Sequence, residues 1–405
     1  MTTARPLDAP APRRSRCLLK AAAQYVLLPV AAVLTAFLIL EAGLRITGLQ
    51  ADFFFQPDPD ISATYIPRKT GWHVFPAHRQ WIEINSFGYR DREWSVAKPP
   101  NAVRVALLGD SYVAGLEVPV GQRLSERLAE QLNAHCGDTR RYEVLNFGVT
   151  GYGTAQELET LRHRVLQFRP DLVLLFFYEG NDLFDNSVEL DPEPNRLHYV
   201  FGPSGELVAL PFTVRDNAVK RWLRAHSKAY NFLRDRISTL QAVHRAMIGA
   251  GLMQDAASPD AENNALQALQ VSQYLRDAPP EIDRAWEVTK ALFPEVQRLA
   301  TENDARFAVV IIPTKETILR RIPAKDSNPS RWDMERPLER MAQICGDLGI
   351  DCVQLVDAFR APGVDVEKCF FSEGHWTGNG HAVASGAIFD ALRDLICSRD
   401  GTAPG

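Results

Sequence analysis

Three polar segments, each next to an apolar stretch, carry the residue types that ester chemistry needs. Ser111 stands in Gly-Asp-Ser-Tyr, Asn181 in Gly-Asn-Asp and His375 in Ser-Glu-Gly-His-Trp. Acyl transfer by serine requires a hydroxyl, a base that takes its proton, a group that orients the base, and donors for the developing oxyanion. Ser111 can supply the hydroxyl and His375 the base, with a nearby carboxylate to hold the imidazole tautomer.

The candidate oxyanion donors are the backbone N–H groups of Ser111 and Gly151 and the side-chain amide of Asn181. Gly151 lies in Asn-Phe-Gly-Val-Thr-Gly-Tyr-Gly, where Gly148 and Gly153 compete with it as turn glycines. Loss of one oxyanion donor typically lowers the rate by about 10²–10³. Asn181 is therefore expected to be a sensitive position.

The polar segments follow elements of a predicted α/β fold. Five apolar stretches predict strands, at Val103–Gly109, Tyr142–Asn146, Asp171–Tyr178, Arg306–Pro313 and Asp351–Leu355. Helical spacing of apolar residues predicts helices at Leu124–His135, Ala155–Phe168, Ala285–Asn303, Met334–Gly349 and Asn379–Ile396. This alternation implies βαβ units and a doubly wound, five-stranded parallel sheet. Because sites in such sheets form beyond the carboxyl ends of the strands, the polar segments are expected to meet at one rim.

The chain divides into several predicted regions along its length. They are a tail at 1–20, an apolar helix at 21–46, an irregular lead-in at 47–100 with one or two edge strands such as Trp81–Ile84, and the α/β domain at 101–398. The strand–helix alternation breaks over residues 186–282, which we interpret as a mostly helical insertion above the sheet.

The apolar run Ala21–Leu40 contains no charged residue and is flanked by Lys20 and Glu41. About 20 helical residues match a hydrocarbon core of about 30 Å. Basic residues before the run place the N-terminus in the cytoplasm and the rest outside. We predict an uncleaved single-pass anchor in the cytoplasmic membrane, with the α/β domain on the periplasmic side. The alternative, a cleaved signal peptide, requires a small-residue cleavage site where Glu41 and Arg45 stand.

Composition limits the classes of partner. The 405 residues carry a net charge of -5 and are 46% hydrophobic, the balance of a globular protein with a core. No block of Lys or Arg follows the first twenty residues, so no nucleic-acid partner is expected.

The six cysteines leave their pairing open. Cys17 falls on the cytoplasmic side, and the other five fall in a compartment that favours disulfides. Either Cys345 with Cys352 or Cys369 with Cys397 could bridge. Buried free thiols are the interpretation we prefer.

The motifs together resemble the SGNH/GDSL hydrolase family from Val103 to the end, apart from the insertion. Gly-Asp-Ser-Tyr is similar to the nucleophile block, Asn-Phe-Gly-Val-Thr-Gly to the glycine block, Gly-Asn-Asp to the asparagine block and Ser-Glu-Gly-His-Trp to the histidine block. The resemblance implies a flavodoxin-like fold in which Ser111 is the nucleophile, His375 the base, and Gly151 and Asn181 oxyanion donors. The anchor and lead-in resemble a membrane-anchored bacterial subgroup of this family.

The histidine block departs from the common family pattern. Many members place Asp three residues before the histidine, where this chain has Ser372, and Glu373 stands one position later. Relatives that transfer acetyl groups to alginate use an acid-x-His spacing. We therefore assign to Glu373 the role of orienting His375.

The resemblance implies a serine-dependent ester hydrolase or O-acyl(acetyl)transferase that works through an acyl-serine intermediate. Its expected substrate is an extracytoplasmic ester carried by a small molecule or a polysaccharide, with carbohydrate preferred. Protein partners are not identifiable. No cofactor or metal is predicted: His375 and His381 lie six residues apart, without a third ligand at metal spacing. The alternative is a catalytically silent binding or assembly module of the cell envelope that keeps this fold. An α/β-hydrolase is disfavoured because the chain contains no G-x-S-x-G elbow.

Overall fold

The computed structural model describes residues 23–75, 77–137, 140–214, 217–239, 271–322 and 328–397. The predicted tail at 1–20, with Cys17, and residues 240–270 of the predicted insertion lie outside the described residues.

Eleven strands are present in the described part of the chain. They are β1 (Phe55–Asp58), β2 (Ser62–Tyr65), β3 (Thr70–Phe75), β4 (His78–Glu83), β5 (Ala102–Leu108), β6 (Arg141–Asn146), β7 (Leu172–Tyr178), β8 (Tyr199–Phe201), β9 (Leu207–Ala209), β10 (Arg306–Ile312) and β11 (Asp351–Gln354).

The helices of the described ranges are α1 (Leu28–Thr47), α2 (Ser111–Ala114), α3 (Leu124–Cys136), α4 (Thr154–Thr160), α5 (Asp182–Asp185), α6 (Ala218–His226), α7 (Lys228–Thr239), α8 (Pro280–Glu302), α9 (Lys315–Leu319), α10 (Arg336–Leu348), α11 (Val356–Phe359), α12 (Val366–Cys369) and α13 (Gly378–Cys397). Single π-helical turns cover Ala23–Leu27 and Leu161–Val165, and 3-10 turns cover Val120–Gln122, Leu166–Phe168 and Pro329–Arg331.

The central sheet is parallel, with the strand order β6–β5–β7–β10–β11. This order is that of flavodoxin-like doubly wound folds, in which the chain crosses to one edge and then returns to build the other half. Helices on both faces bury the central strands, so every residue of β5 is buried. The five predicted strands are confirmed, each boundary to within one residue.

The lead-in is more regular than expected. It contains two antiparallel hairpins, β1–β2 and β3–β4, and neither joins the central sheet. In the second hairpin Trp72 pairs with Trp81 and Phe75 pairs with His78. Two-stranded hairpins are marginal alone and depend on packing against other elements. Tyr65 and Ile82, both fully buried, supply that packing here.

Helix α1 continues the π-helical turn before it. Within Gln24–Thr47 an 18-residue window has a mean hydropathy of 2.2, and within the described ranges this is the one helix long and apolar enough to cross a membrane.

The carboxyl end of α1 is joined to the insertion. The Glu41 carboxylate accepts hydrogen bonds from the Ser227 hydroxyl at 2.9 Å and from the Ala229 N–H at 2.8 Å. The first N–H groups of a helix lack partners within that helix, so Glu41 caps the start of α7. The described part of the insertion also contains the small β8–β9 hairpin, which the mostly helical prediction omitted.

Two disulfides form, contrary to our preference for free thiols. Cys345 pairs with Cys352, one of the two predicted alternatives, whereas Cys397 pairs with Cys136 and not with Cys369. Cys369 is a buried free thiol. The Cys136–Cys397 bridge joins the ends of α3 and α13, which pack side by side although they lie 261 residues apart in sequence. Sequence spacing contains no sign of such a distant contact.

Candidate active site

Ser111 is the first residue of α2, directly after the carboxyl end of β5. The Asp110 carboxylate accepts a hydrogen bond from the Tyr112 N–H at 2.9 Å and so caps this short helix. A Cβ at Gly109 would lie 2.3 Å from the Val113 side chain, so only glycine fits the turn. The serine is therefore held at the sheet rim with 7% of its surface exposed.

His375 meets Ser111 although 264 positions separate them in the chain. The imidazole Nε2 lies 2.9 Å from the Ser111 Oγ. The histidine loop is held by a hydrogen bond from the Tyr112 hydroxyl to the Gly374 carbonyl at 2.8 Å. Burial lowers the pKa of His375, which favours the neutral, proton-accepting imidazole near pH 7. Tyr112 is a positioning residue that sequence reasoning missed, although it belongs to the Gly-Asp-Ser-Tyr motif.

Glu373 contacts a different histidine from the one expected. Its Oε1 lies 2.9 Å from Nε2 of His78 in β4, and the described hydrogen bonds include none between Glu373 and His375. The negative charge of Glu373 nevertheless raises the pKa of His375, against the larger effect of burial. Sequence reasoning missed His78 because the strand it predicted in the lead-in, Trp81–Ile84, begins after this residue.

Gly151 occupies an open turn beside the rim. Its φ is +79°, a conformation that favours glycine, and a Cβ there would contact nothing within 4 Å. The turn is fixed by the Arg196 guanidinium, which donates to the Gly151 carbonyl at 2.9 Å, and by the Tyr65 hydroxyl, which lies 2.9 Å from the Thr150 Oγ1. Neither Arg196 nor Tyr65 was singled out from the sequence.

The two competing glycines have packing roles. A Cβ at Gly148 would lie 2.4 Å from the Ala114 backbone nitrogen, and one at Gly153 would lie 2.8 Å from the Asp185 side chain. Both are explained by the close approach of neighbouring elements. Gly151 is the one of the three whose surroundings are open.

Asn181 follows β7 and lies beside the nucleophile turn. Its side-chain Nδ2 donates to the Asp185 carboxylate at 2.9 Å. Burial raises the pKa of Asp110 to about 7, and hydrogen bonds from the Tyr112 N–H, Asn181 and Ser111 oppose this rise. The structure therefore brings His375 to Ser111 and Asn181 to Asp110, the residue before the serine, although all come from separate parts of the chain.

Buried carboxyl groups lie beneath this rim. They are Asp110, Asp182, Asp185 and Glu157 of α4. Within the described part of the chain, the two carboxyl oxygens of Glu157 have no hydrogen-bond partner. Burial, followed by the charges of Asp110 and Asp185, raises the pKa of Glu157 well above its ordinary value. A raised pKa means that the folded protein binds more protons than the unfolded chain, so this group lowers stability as pH rises above about 4.

We expect Glu157→Gln to stabilise the protein at pH 8, by about 1–3 kcal/mol, because the amide keeps the shape but neither carries a buried charge nor has to bind a proton on folding. The gain shrinks toward pH 5, where the carboxyl is neutral in the folded state. Thermal melts at both pH values measure this. The exposed Glu130→Gln is the matched control, and equal melting temperatures for wild type and Glu157→Gln at pH 8 contradict the expectation.

A cavity of about 1370 Å³ borders the Gly151 turn and extends between the lead-in and the insertion to Phe37 of α1. Ser111 does not line it, but the donor turn does. Basic side chains contribute to its wall, namely Arg196, Lys220, Arg221, Arg224 and Arg234.

Comparison with known proteins gives one family match. The model of the family described as GDSL-like Lipase/Acylhydrolase matches residues 107–383, more than half of the chain. No curated protein sequence matches.

The chain is also similar to solved structures. One is a lipase/acylhydrolase from Enterococcus faecalis, with 14% identity over 74% of this chain and 100% of that one and a TM-score of 0.35. TesA has 11% identity over 72% and 99% of the two chains, with a TM-score of 0.38. The acetyl xylan esterase AlAXEase has 14% identity over 72% and 100%, with a TM-score of 0.36.

Proposed function

The chain belongs to the GDSL-like lipase/acylhydrolase family of ester hydrolases, and from this premise we propose that it works through an acyl-Ser111 intermediate. The observation that carries the proposal is the 2.9 Å contact between the Ser111 Oγ and the His375 Nε2. This distance lies within the hydrogen-bond range that a serine and its general base require. It also favours an enzyme over a catalytically silent module, because a binding module has no need of a base beside a serine hydroxyl.

The proposed reaction has two halves. In the first, Oγ of Ser111 attacks the ester carbonyl while Nε2 of His375 takes the hydroxyl proton. His375 then gives this proton to the leaving alcohol as the ester C–O bond breaks. In the second, Nε2 of His375 takes a proton from water or a sugar hydroxyl as that oxygen attacks the acyl carbonyl. The bond between the acyl carbon and Oγ of Ser111 then breaks, His375 returns the proton to Oγ, and the free acid or the new sugar ester leaves. The N–H groups of Ser111 and Gly151 and the Asn181 amide stabilise both oxyanions.

We expect Asn181→Ala to lower kcat by about 10²–10³ and to change KM little, because the amide stabilises charge that develops only in the transition state. Steady-state kinetics with p-nitrophenyl acetate measure this. Asn303→Ala, which removes a helix-end asparagine remote from the rim, is the matched control. If Asn181→Ala lowers kcat by less than threefold, Asn181 is not an oxyanion donor.

In the proposal Glu373 acts on His375 through charge, since its hydrogen bond goes to His78. Because Glu373 raises the pKa of His375, Glu373→Gln is expected to move the acid limb of the kcat/KM profile to lower pH. The loss of imidazolium stabilisation is expected to lower kcat by roughly tenfold, equivalent to about 1.4 kcal/mol. Rates measured from pH 4 to 9 test this, with the exposed Glu206→Gln as control. If the acid limb does not move in Glu373→Gln, Glu373 does not act on His375 through its charge.

The proposed setting is extracytoplasmic. Residues 1–20 form a cytoplasmic tail, 21–46 the anchor, and 101–398 the catalytic domain with its insertion at 186–282. Two disulfides support an oxidising compartment. The bonds from Glu41 to α7 support an uncleaved helix, because cleavage after this helix would remove a cap that the fold uses. Intact mass of the membrane-bound protein tests this: a mature chain that lacks Glu41 contradicts it.

The proposed substrate is an ester carried by a polysaccharide or a small molecule outside the cytoplasm, with acetyl as the first acyl group to test. Full-length protein in detergent is incubated with p-nitrophenyl acetate, with and without an oligosaccharide acceptor. If acetate is the one product, the protein is a hydrolase; if acetylated oligosaccharide forms, it is a transferase. Absence of both, with folded protein, contradicts the proposed function.

A further inference from the structure

A second group of polar side chains lies close to the His375 loop. One nitrogen of His73, one nitrogen of His78 and one carboxylate oxygen of Glu117 all lie within 4.8 Å of one another. His73 and His78 come from opposite strands of the β3–β4 hairpin, and their rings stack with centroids 5.5 Å apart and planes 19° apart. Glu117 follows the nucleophile helix α2 and is 4% exposed.

The two imidazoles have nitrogens that the protein does not satisfy. Nδ1 of His73 and Nδ1 of His78 are both buried, and among the residues that the structure describes neither has a hydrogen-bond partner. The His78 side chain is 3% exposed. An unsatisfied buried polar atom costs about 1–3 kcal/mol, so two such nitrogens on the neighbouring imidazoles of one group require an explanation.

The partner of His78 fixes which nitrogen carries the proton. A carboxylate accepts hydrogen bonds, so the 2.9 Å contact with Glu373 places the proton on Nε2 of the neutral imidazole. The lone pair is then on Nδ1, the unsatisfied nitrogen. Metal-binding histidines almost always place one nitrogen on the metal while the other donates to a carboxylate, a backbone carbonyl or water, and Glu373 is such a carboxylate.

The charge around the group has both signs. Arg90 lies near Glu117, and its positive charge disfavours the binding of a metal cation there. One of its guanidinium nitrogens donates to the Val118 carbonyl at 2.7 Å. Two carboxyl groups, those of Glu117 and Glu373, lie at the group and can coordinate or balance a cation. Two imidazoles and one carboxylate suit Zn²⁺ and its first-row neighbours, whereas Mg²⁺ and Ca²⁺ prefer oxygen ligands throughout.

We propose that His73, His78 and Glu117 form a site for a divalent transition-metal ion of the Zn²⁺ class, with water in the remaining position. The site is separate from Ser111 and goes beyond the proposed esterase function. A bound ion would hold His78 in the tautomer that donates to Glu373, and it would thereby fix the carboxylate beside His375. His78 and Glu373 are thus positioning residues that link the lead-in hairpin to the histidine loop.

The test uses full-length protein in detergent, stripped of metal with a chelator and titrated with Co²⁺, whose visible absorption reports its ligands. We expect one equivalent to bind with a spectrum of low coordination number, and Zn²⁺ to displace it. Glu117→Gln, which keeps the shape of the side chain, and His73→Ala are each expected to weaken binding by at least about 100-fold. The exposed His226→Ala is the matched control and binds as wild type does.

The readout does not depend on activity, so Ser111→Ala protein is expected to bind Co²⁺ unchanged. Failure of the esterase proposal and failure of the metal proposal are therefore distinguishable. Circular dichroism shows whether each variant folds, and Zn²⁺ raises the melting temperature of wild type but not of Glu117→Gln. The proposal is overturned if folded wild type shows no stoichiometric Co²⁺ spectrum, or if the spectrum persists in both Glu117→Gln and His73→Ala.

Discussion

Ser111→Ala is expected to lower kcat toward p-nitrophenyl acetate by on the order of 10⁴–10⁶, with a residual rate above that in water. The nucleophile is lost entirely, because alanine has no oxygen with which to form the acyl intermediate. The residual catalysis comes from substrate binding and from the oxyanion donors, which the substitution leaves in place. Ser111 is the first residue of a helix whose cap comes from Asp110, so the variant keeps the cap and is expected to fold.

Initial rates over a wide range of enzyme concentration measure this loss. Ser204→Ala, an exposed serine in the β8–β9 turn, is the matched control and is expected to retain full activity. A Ser111→Ala protein that keeps more than a tenth of the wild-type kcat shows that the hydrolysis proceeds elsewhere on the protein.

His375→Ala is expected to cost nearly as much as Ser111→Ala, because the Ser111 hydroxyl is a poor nucleophile until a base takes its proton. In the described part of the chain, the imidazole that contacts the Oγ of Ser111 is that of His375. Residues that act as a unit are strongly non-additive, so the double variant is expected to be no slower than Ser111→Ala alone.

The pH profile adds a second readout for His375. The wild-type kcat/KM is expected to fall as pH drops through the pKa of His375, which burial places below the ordinary value of 6.5. In His375→Ala this acid limb is expected to disappear from the residual rate. His135→Ala, an exposed histidine on α3, is the matched control. Retention of both the rate and the acid limb in His375→Ala assigns the base to another group.

The sheet was predictable because its signals are local. β7 is a continuous apolar run of seven residues, β5 is apolar apart from Arg104, and helices with regular apolar spacing separate the strands. The same signals place Ser111 and Asn181 at strand ends, and parallel strands bring those ends to one edge. The meeting of His375 with Ser111 follows from this topology together with the family resemblance.

Long-range contacts were not predictable in the same way. The pairing of Cys136 with Cys397 depends on the packing of two helices that are distant in sequence. The bond between His78 and Glu373 depends on a hairpin whose short strands have little signal of their own. Arg196 reaches the Gly151 turn from the insertion, where charged residues on loops are ordinarily solvated. In each case the determining interaction joins segments whose relative placement no local pattern encodes.

Covalent labelling of full-length protein by a fluorophosphonate probe tests the central claim most directly, since the probe reacts with serines that a neighbouring base activates. The account predicts one adduct per folded chain by intact mass, located on Ser111 by peptide mapping and absent from Ser111→Ala and His375→Ala. Folded protein that takes up no probe, or takes it up on a serine other than Ser111, contradicts the account.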